Sequence, residues 1–118
     1  MAIQYILINE TKKEQISFLH LNGSTRRELA GNSPQASIVT WYMLENTGDE
    51  IQFISDTHDD WPFKTGNKNA SRSYTEKTND VINTLINNSI LEDRGYIYRD
   101  PEDPDNVFIR DIVNVWIE

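Results

Sequence analysis

The sequence predicts an α+β fold, with a mainly antiparallel sheet of about five strands and two principal helices on one face of it, in the order β-β-α-β-α-β-β. Short apolar runs of strand length recur along the chain, and polar turns rich in Gly, Asn and Asp separate them. Two longer segments, 33–46 and 73–88, each begin at a helix-capping signal. A length of 118 residues suits one domain, and we expect residues 1–118 to form it.

The first two strands are expected to form an antiparallel hairpin. Residues 4–8 are apolar on both faces of a strand, which is typical of a central strand. Residues 15–21 follow a polar turn and alternate, with Ile16, Phe18 and His20 on one face.

The next elements are predicted to be helices. Residues 25–28 have the spacing of a capping box, which predicts a short helix. Asn32 supplies a polar cap, and Pro34 in the first turn starts a longer helix that runs to about residue 46. Gly48 provides its left-handed exit. Apolar side chains surround most of this helix, so we expect it to be buried.

The rest of the chain is expected to add a strand, a helix and a hairpin. Residues 51–54 are the third strand, and residues 55–72 form a long polar loop. Ser73 and Glu76 have capping-box spacing and predict a helix with one apolar stripe, which ends at 87–88. A final hairpin closes the chain with a long terminal strand.

The net charge of −8 is unevenly distributed. Residues 1–48 hold equal numbers of acidic and basic side chains, so residues 49–118 carry the whole excess. A one-sided negative field repels phosphate backbones and attracts basic surfaces. We therefore expect a basic protein partner and no binding to nucleic acid.

The cellular setting is inferred from cysteine usage and hydropathy. The chain has no cysteine, which excludes a disulfide framework and fits a reducing compartment. The apolar N-terminal run lacks a preceding basic region and breaks at residues 9–11, so it does not match a secretion signal. No apolar run approaches the roughly 18 residues that a membrane helix needs. These observations favour a cytoplasmic protein with no membrane partner.

Two acidic segments with rigid prolines, residues 55–62 and 100–106, are the strongest functional signal. Loops of this chemistry more often contact a partner than build a core. The predicted partner-binding residues are Asp56, Asp59, Asp60, Trp61, Glu102, Asp103 and Asp105. The carboxylates would steer a basic partner, and Trp61 or a neighbouring aromatic would be buried against it. The favoured interpretation of Trp61 is a clasp that pins its loop to the core, and both roles are compatible if the ring is only half covered.

The main hypothesis is a small acidic protein-binding module, comparable in size, charge and lack of cysteine with inhibitors and immunity proteins. The chain has no Gly-x-Ser-x-Gly elbow and no glycine-rich phosphate loop. The sequence therefore favours a binding protein over an enzyme, and no cofactor is expected.

A metal-binding protein or metal-assisted hydrolase is the first alternative. His58 lies among Asp56, Asp59 and Asp60, and His20 would add a second nitrogen if the fold brings it near. The spacing matches no established metal motif, and adjacent carboxylates in an extended loop point apart. The main hypothesis therefore assigns no metal ligand.

A self-associating structural or phage-encoded subunit is the second alternative. It would pair through an exposed sheet edge or through Trp116, which alternates with Val115 and Ile117 and so faces away from them. The oligomeric state is left open.

Overall fold

The computed structural model describes residues 3–57 and 61–116 and confirms the α+β class. The strands are β1 (Tyr5–Asn9), β2 (Glu14–Ile16), β3 (Ile51–Ser55), β4 (Thr75–Glu76), β5 (Leu91–Arg99) and β6 (Phe108–Asn114). The helices are α1 (Arg26–Gly31), α2 (Ser33–Glu45), α3 (Lys68–Ser71) and α4 (Thr78–Asn87). None of these helices has the length and apolar character needed to span a bilayer.

The strands divide between two sheets instead of forming the single sheet that we expected. Four of them form a mixed sheet in the order β3-β1-β2-β4, while β5 and β6 pair only with each other. Strand β1 pairs antiparallel with β2 and β3, as its two apolar faces predict, and Leu7 and Ile8 are both buried. Strand β4 pairs parallel with the outer side of β2. This short strand takes the free edge of β2, and the last two strands form a separate ribbon.

The second strand is shorter than its alternating pattern predicted. It ends at Ile16, because Phe18 and His20 adopt left-handed backbone conformations with φ of 58° and 62°. The amide of Leu21 donates to the carbonyl of Phe18 at 3.0 Å and closes a turn there. Phe18 still reaches the core, whereas His20 lies against the β5–β6 ribbon.

The capping box at the start of α1 is confirmed, and α2 begins and ends close to the predicted residues, but the Asn32 side chain forms no cap hydrogen bond. The Thr25 hydroxyl accepts from the amide of Glu28 at 3.3 Å, and the Glu28 carboxylate accepts from the amide of Thr25 at 3.1 Å. Helix α2 has Pro34 in its first turn, and Gly48 follows it with φ of +91°. The capping box satisfies amides that a helix start leaves unpaired, whereas Pro34 suits the first turn because its missing N–H is not needed there.

The capping box expected at Ser73 and Glu76 does not exist, because α4 begins at Thr78. The Glu76 carboxylate instead accepts from the amides of Ser17 at 3.2 Å and Thr78 at 3.1 Å. It therefore joins the end of β2 to the start of the helix. The predicted apolar stripe of α4 is confirmed, and its buried apolar members are Val81, Ile82 and Leu85.

The hydrophobic core joins the four-stranded sheet, the helices and the base of the ribbon. Its buried members are Leu7, Ile16, Phe18, Leu29, Ile38, Tyr42, Val81, Ile82, Leu85, Leu91 and Ile112. Helix α2 contributes Ile38 and Tyr42, but Met43 and Leu44 remain 43% and 67% exposed. The expectation of a buried α2 is therefore wrong for Met43 and Leu44, since the neighbouring α1, α4 and β6 cover only part of its apolar surface.

Candidate functional site

The first acidic segment starts at the end of the edge strand β3. The Asp56 carboxylate accepts from the amide of Gln4 at 3.1 Å, and the Asp56 amide donates to the Gln4 carbonyl at 3.0 Å. Asp56 is thus an exposed carboxylate on a fixed backbone. His58, Asp59 and Asp60 lie outside the described residues, so their predicted roles stay predictions.

Trp61 is half-buried within its own loop. Its indole Nε1 donates to the carbonyl of Thr65 at 2.7 Å, and its ring meets Phe63 edge-on at 5.1 Å between centroids. Both contacts lie within residues 61–65 and fix the ring to its own loop, so the expected clasp to the core stays a prediction. The exposed part of the ring remains available to a partner, as the alternative role requires.

A buried carboxylate, which the sequence did not reveal, fixes the far end of the same loop. Glu10 is 3% exposed, and its oxygens accept hydrogen bonds from Lys13, Thr65 and Tyr74. Burial alone would raise the pKa of Glu10, but these three donors outweigh it and hold the pKa below its ordinary value. Burial and the contact with Glu10 raise the pKa of the Tyr74 phenol. Glu10 therefore joins the β1–β2 turn to the long loop as an ionised, fully bonded group.

The second acidic segment forms the tip of the β5–β6 ribbon, and Asp100 shapes it. Its carboxylate accepts from the amides of Glu102 at 2.7 Å and Asp103 at 3.2 Å. The Asp103 carbonyl in turn accepts from the amide of Val107 at 3.0 Å. The tip is therefore a hydrogen-bonded turn that displays its remaining carboxylates at a fixed position.

Three predicted partner-binding residues come together on this tip: Glu102, Asp103 and Asp105. The Asp105 side chain is 90% exposed and lies 3.6 Å from the Arg99 guanidinium. Within the described part of the chain, Glu102 forms no ion pair. The tip therefore keeps a negative surface although Arg99 offsets part of it.

The ribbon next to the tip exposes large apolar side chains. Tyr96, Ile97 and Tyr98 are 50%, 56% and 48% exposed, and Val107 on the returning chain is also exposed. The pairing shifts register on both sides of Tyr96, and Gly95 adopts φ of +103°. Sequence reasoning placed these residues in the terminal hairpin and did not predict their exposure. The acidic residues 100–106, which follow these side chains, were the sequence signal that pointed to this surface.

A polar pocket of about 340 Å³ lies at the base of the ribbon. Arg110 donates to Asp93 at 3.0 Å and to Asn79 on α4 at 2.9 Å. Hydrogen bonds from the Gly95 amide and the Arg110 guanidinium hold the pKa of Asp93 below its ordinary value. They outweigh partial burial, which alone would raise this pKa. These contacts fix the ribbon to α4, so the exposed apolar residues project from a supported base.

His20 lines this pocket. Its ring stacks on Phe108 at 3.7 Å between centroids, and Nδ1 lies 3.1 Å from the Phe108 carbonyl. A carbonyl oxygen only accepts, so Nδ1 carries the proton in this contact. His20 thus contacts β6, whereas Asp56 contacts the N-terminal segment.

No group of three or more His, Asp or Glu side chains within residues 3–57 and 61–116 is arranged to hold a metal ion. The metal alternative depends on His58, which lies outside those ranges, and it stays a prediction.

Comparisons with protein-family models, with curated proteins and with solved structures gave no match. The functional proposal therefore rests on the geometry of the ribbon, its acidic tip and the first acidic segment.

Proposed function

We propose that this chain is a protein-binding module that docks on a basic surface of another protein, in the manner of an inhibitor or immunity-type protein. The observation that carries the proposal is the exposure of Tyr96, Ile97 and Tyr98 directly beside the acidic tip. Exposed apolar residues that adjoin polar ones are typical of interaction surfaces. We name residues 96–107 the docking ribbon.

Two parts of the docking ribbon would act at different stages of binding. Exposed carboxylates such as Glu102 and Asp105 raise the rate of encounter with a cationic surface. Tyrosine side chains bury much area and lose few rotamers, so Tyr96 and Tyr98 would slow dissociation.

The docking ribbon is held in one shape before binding. The Arg99 guanidinium lies 4.7 Å from the centroid of the Tyr96 ring, and its Nε donates to the Pro104 carbonyl at 3.1 Å. Together with the turn bonds of Asp100, these contacts lower the ordering cost that a flexible loop would incur on binding.

The first acidic segment would form a second contact in this proposal. Asp56 and the exposed part of Trp61 are fixed by local hydrogen bonds, and Asp59 and Asp60 follow the same assignment from sequence. We also place the module in the cytoplasm, because the chain has no cysteine that could form a disulfide in an oxidising compartment.

The experiment is capture of a partner from a host lysate, followed by kinetics with the purified partner. Immobilised protein should retain a basic protein at low ionic strength and lose it as salt rises. Neutralising the tip with Glu102→Gln and Asp105→Asn should lower the association rate constant by roughly fivefold. Tyr98→Ala should raise the dissociation rate constant by about tenfold.

Matched controls are exposed residues outside the docking ribbon. Glu45→Gln with Glu50→Gln removes the same charge outside the docking ribbon, and Met43→Ala truncates an exposed apolar side chain on α2. Both should leave the rates within about twofold. The proposal fails if only acidic proteins are captured, if none is captured at any salt concentration, or if the controls match the tip variants.

A further inference from the structure

A second concave site, which shares no lining residue with the ribbon pocket, lies between the first two helices and the four-stranded sheet. This groove has a volume of about 380 Å³. The described residues that line it are Tyr5, Arg26, Leu29, Ala30, Ala36, Val39, Thr40 and Phe53. We name it the α1–α2 groove. Its volume lies within the range of small-molecule sites, roughly 300 to 1,000 Å³.

The groove has a firm apolar interior. Leu29 is buried in the core beneath it, and Tyr5 meets Phe53 edge-on at 6.3 Å between ring centroids. Phe53 also stacks on the buried Phe18 at 6.4 Å, so the aromatic wall is anchored to the core. Ala36 is small and half-buried, which leaves the space between helix and sheet open.

One charged side chain stands among the described lining residues. Arg26 donates from Nη2 to the Tyr5 hydroxyl at 3.3 Å, which orients the guanidinium toward the aromatic wall. No carboxylate in the described part of the chain forms an ion pair with it. Its other N–H donors are therefore available to an anion.

We propose that the α1–α2 groove binds a small amphiphilic carboxylate, with its alkyl chain against Leu29, Val39 and Phe53 and its carboxylate on Arg26. The apolar lining favours the ligand's alkyl chain because binding buries the apolar surface of that alkyl chain. The guanidinium favours the ligand's carboxylate through paired hydrogen bonds. A neutral hydrocarbon would leave the Arg26 donors without a ligand partner. The net charge of −8 repels such a ligand at long range, so the local contact with Arg26 has to supply the attraction and decides the specificity.

The test uses octanoate as probe and 1-octanol as its uncharged analogue, with the full chain in both cases. We expect saturable octanoate-induced shifts of the backbone amide resonances of Leu29, Val39 and Phe53 in two-dimensional NMR. We expect 1-octanol to bind about tenfold more weakly, because it cannot pair with the guanidinium.

Arg27 provides a matched control for Arg26. Both arginines are exposed on the same turn of α1, but Arg27 does not line the groove. Arg26→Gln should weaken octanoate about tenfold and leave 1-octanol unchanged, whereas Arg27→Gln should change neither. Ala36→Leu, which fills the groove, should abolish binding of both probes.

Several outcomes would overturn the proposal. These are the absence of saturable shifts, equal affinity for octanoate and 1-octanol, or equal losses in Arg26→Gln and Arg27→Gln. Shifts of the same amides on raising protein concentration without probe would show a second copy of the chain in the groove instead. Tighter binding of an acetylated peptide that ends in leucine would identify a protein C-terminus as the occupant.

Discussion

Glu10 joins segments that lie far apart in the chain. It lies in the turn after β1, yet it accepts from Thr65 and Tyr74, which are 55 and 64 positions away. A buried carboxylate is stable only when hydrogen bonds replace its lost hydration. Lys13 supplies the positive charge that completes this replacement.

Glu10→Gln should lower the free energy of unfolding by about 2 kcal/mol, because it removes charge-assisted hydrogen bonds and leaves buried donors poorly paired. Urea denaturation at neutral pH measures the change. Glu45→Gln, an exposed glutamate at the end of α2, is the control and should stay within about 0.5 kcal/mol of the parent chain.

The same substitution should flatten the pH dependence of stability. The folded-state pKa of Glu10 lies below its ordinary value of 4.5, so the unfolded chain takes up the proton more readily. The stabilisation is therefore complete above about pH 4.5 and is lost as the pH falls through the folded-state pKa. Denaturation curves between neutral and acidic pH would contradict this assignment if Glu10→Gln kept the full slope of the parent chain.

Sequence reasoning at this scale located some side chains of the candidate site and not others. Residues 100–106 were recognised because acidic residues and prolines adjoin each other, and the structure brings Glu102, Asp103 and Asp105 together. Glu10 was assigned to a polar turn, since its partners are far away in sequence. A contact of that separation leaves no local pattern.

Among the elements, the β5–β6 ribbon depends on an unusual backbone at Gly95. Its φ of +103° lies where a side chain strains the backbone, and no atom would obstruct an added Cβ. An alanine at position 95 therefore tests the backbone strain without adding a steric clash.

Gly95→Ala should destabilise the chain by about 1 kcal/mol, because the left-handed backbone is unfavourable for alanine. Gly31→Ala is matched, since an added Cβ also meets no atom there while the backbone is helical. It should be neutral or stabilise by about 0.5 kcal/mol. Thermal and urea unfolding of both variants check the difference, and equal effects would show that Gly95 is not constrained.

Elements with local signals were predicted well, and those set by distant contacts were not. Thr25 with Glu28, and Pro34 with Gly48, placed α1 and α2 because capping acts over a few residues. The capping-box spacing of Ser73 and Glu76 gave a wrong prediction of the helix start. There, residues 75–76 pair with β2 instead of forming the first helical turn. Tertiary pairing overrides a local capping preference of this size.

At the scale of the whole molecule, net charge and exposed apolar surface oppose each other. The chain carries −8 at neutral pH, which keeps copies apart, while Leu44 is 67% exposed on α2. Near pH 4.6 the repulsion vanishes and apolar contacts between copies are no longer opposed.

Self-association should therefore rise near pH 4.6 and fall severalfold in Leu44→Gln, as measured by static light scattering. Leu19→Gln removes a leucine that is 42% exposed elsewhere and should have a smaller effect. If Trp116→Gln alone reduces scattering, the terminal tryptophan is the contact, as the self-assembly alternative expected.

The parallel pairing of β4 with β2 has a consequence for synthesis of the chain. Strands β1, β2 and β3 can pair once residue 55 has left the ribosome, but the outer edge of β2 stays open until Thr75–Glu76 follows. Glu10 likewise waits for Thr65 and Tyr74. The nascent N-terminal half therefore exposes an unpaired strand edge beside a carboxylate that has Lys13 but still lacks its two later hydrogen-bond donors, and this interval is when the growing polypeptide is most open to capture by a chaperone.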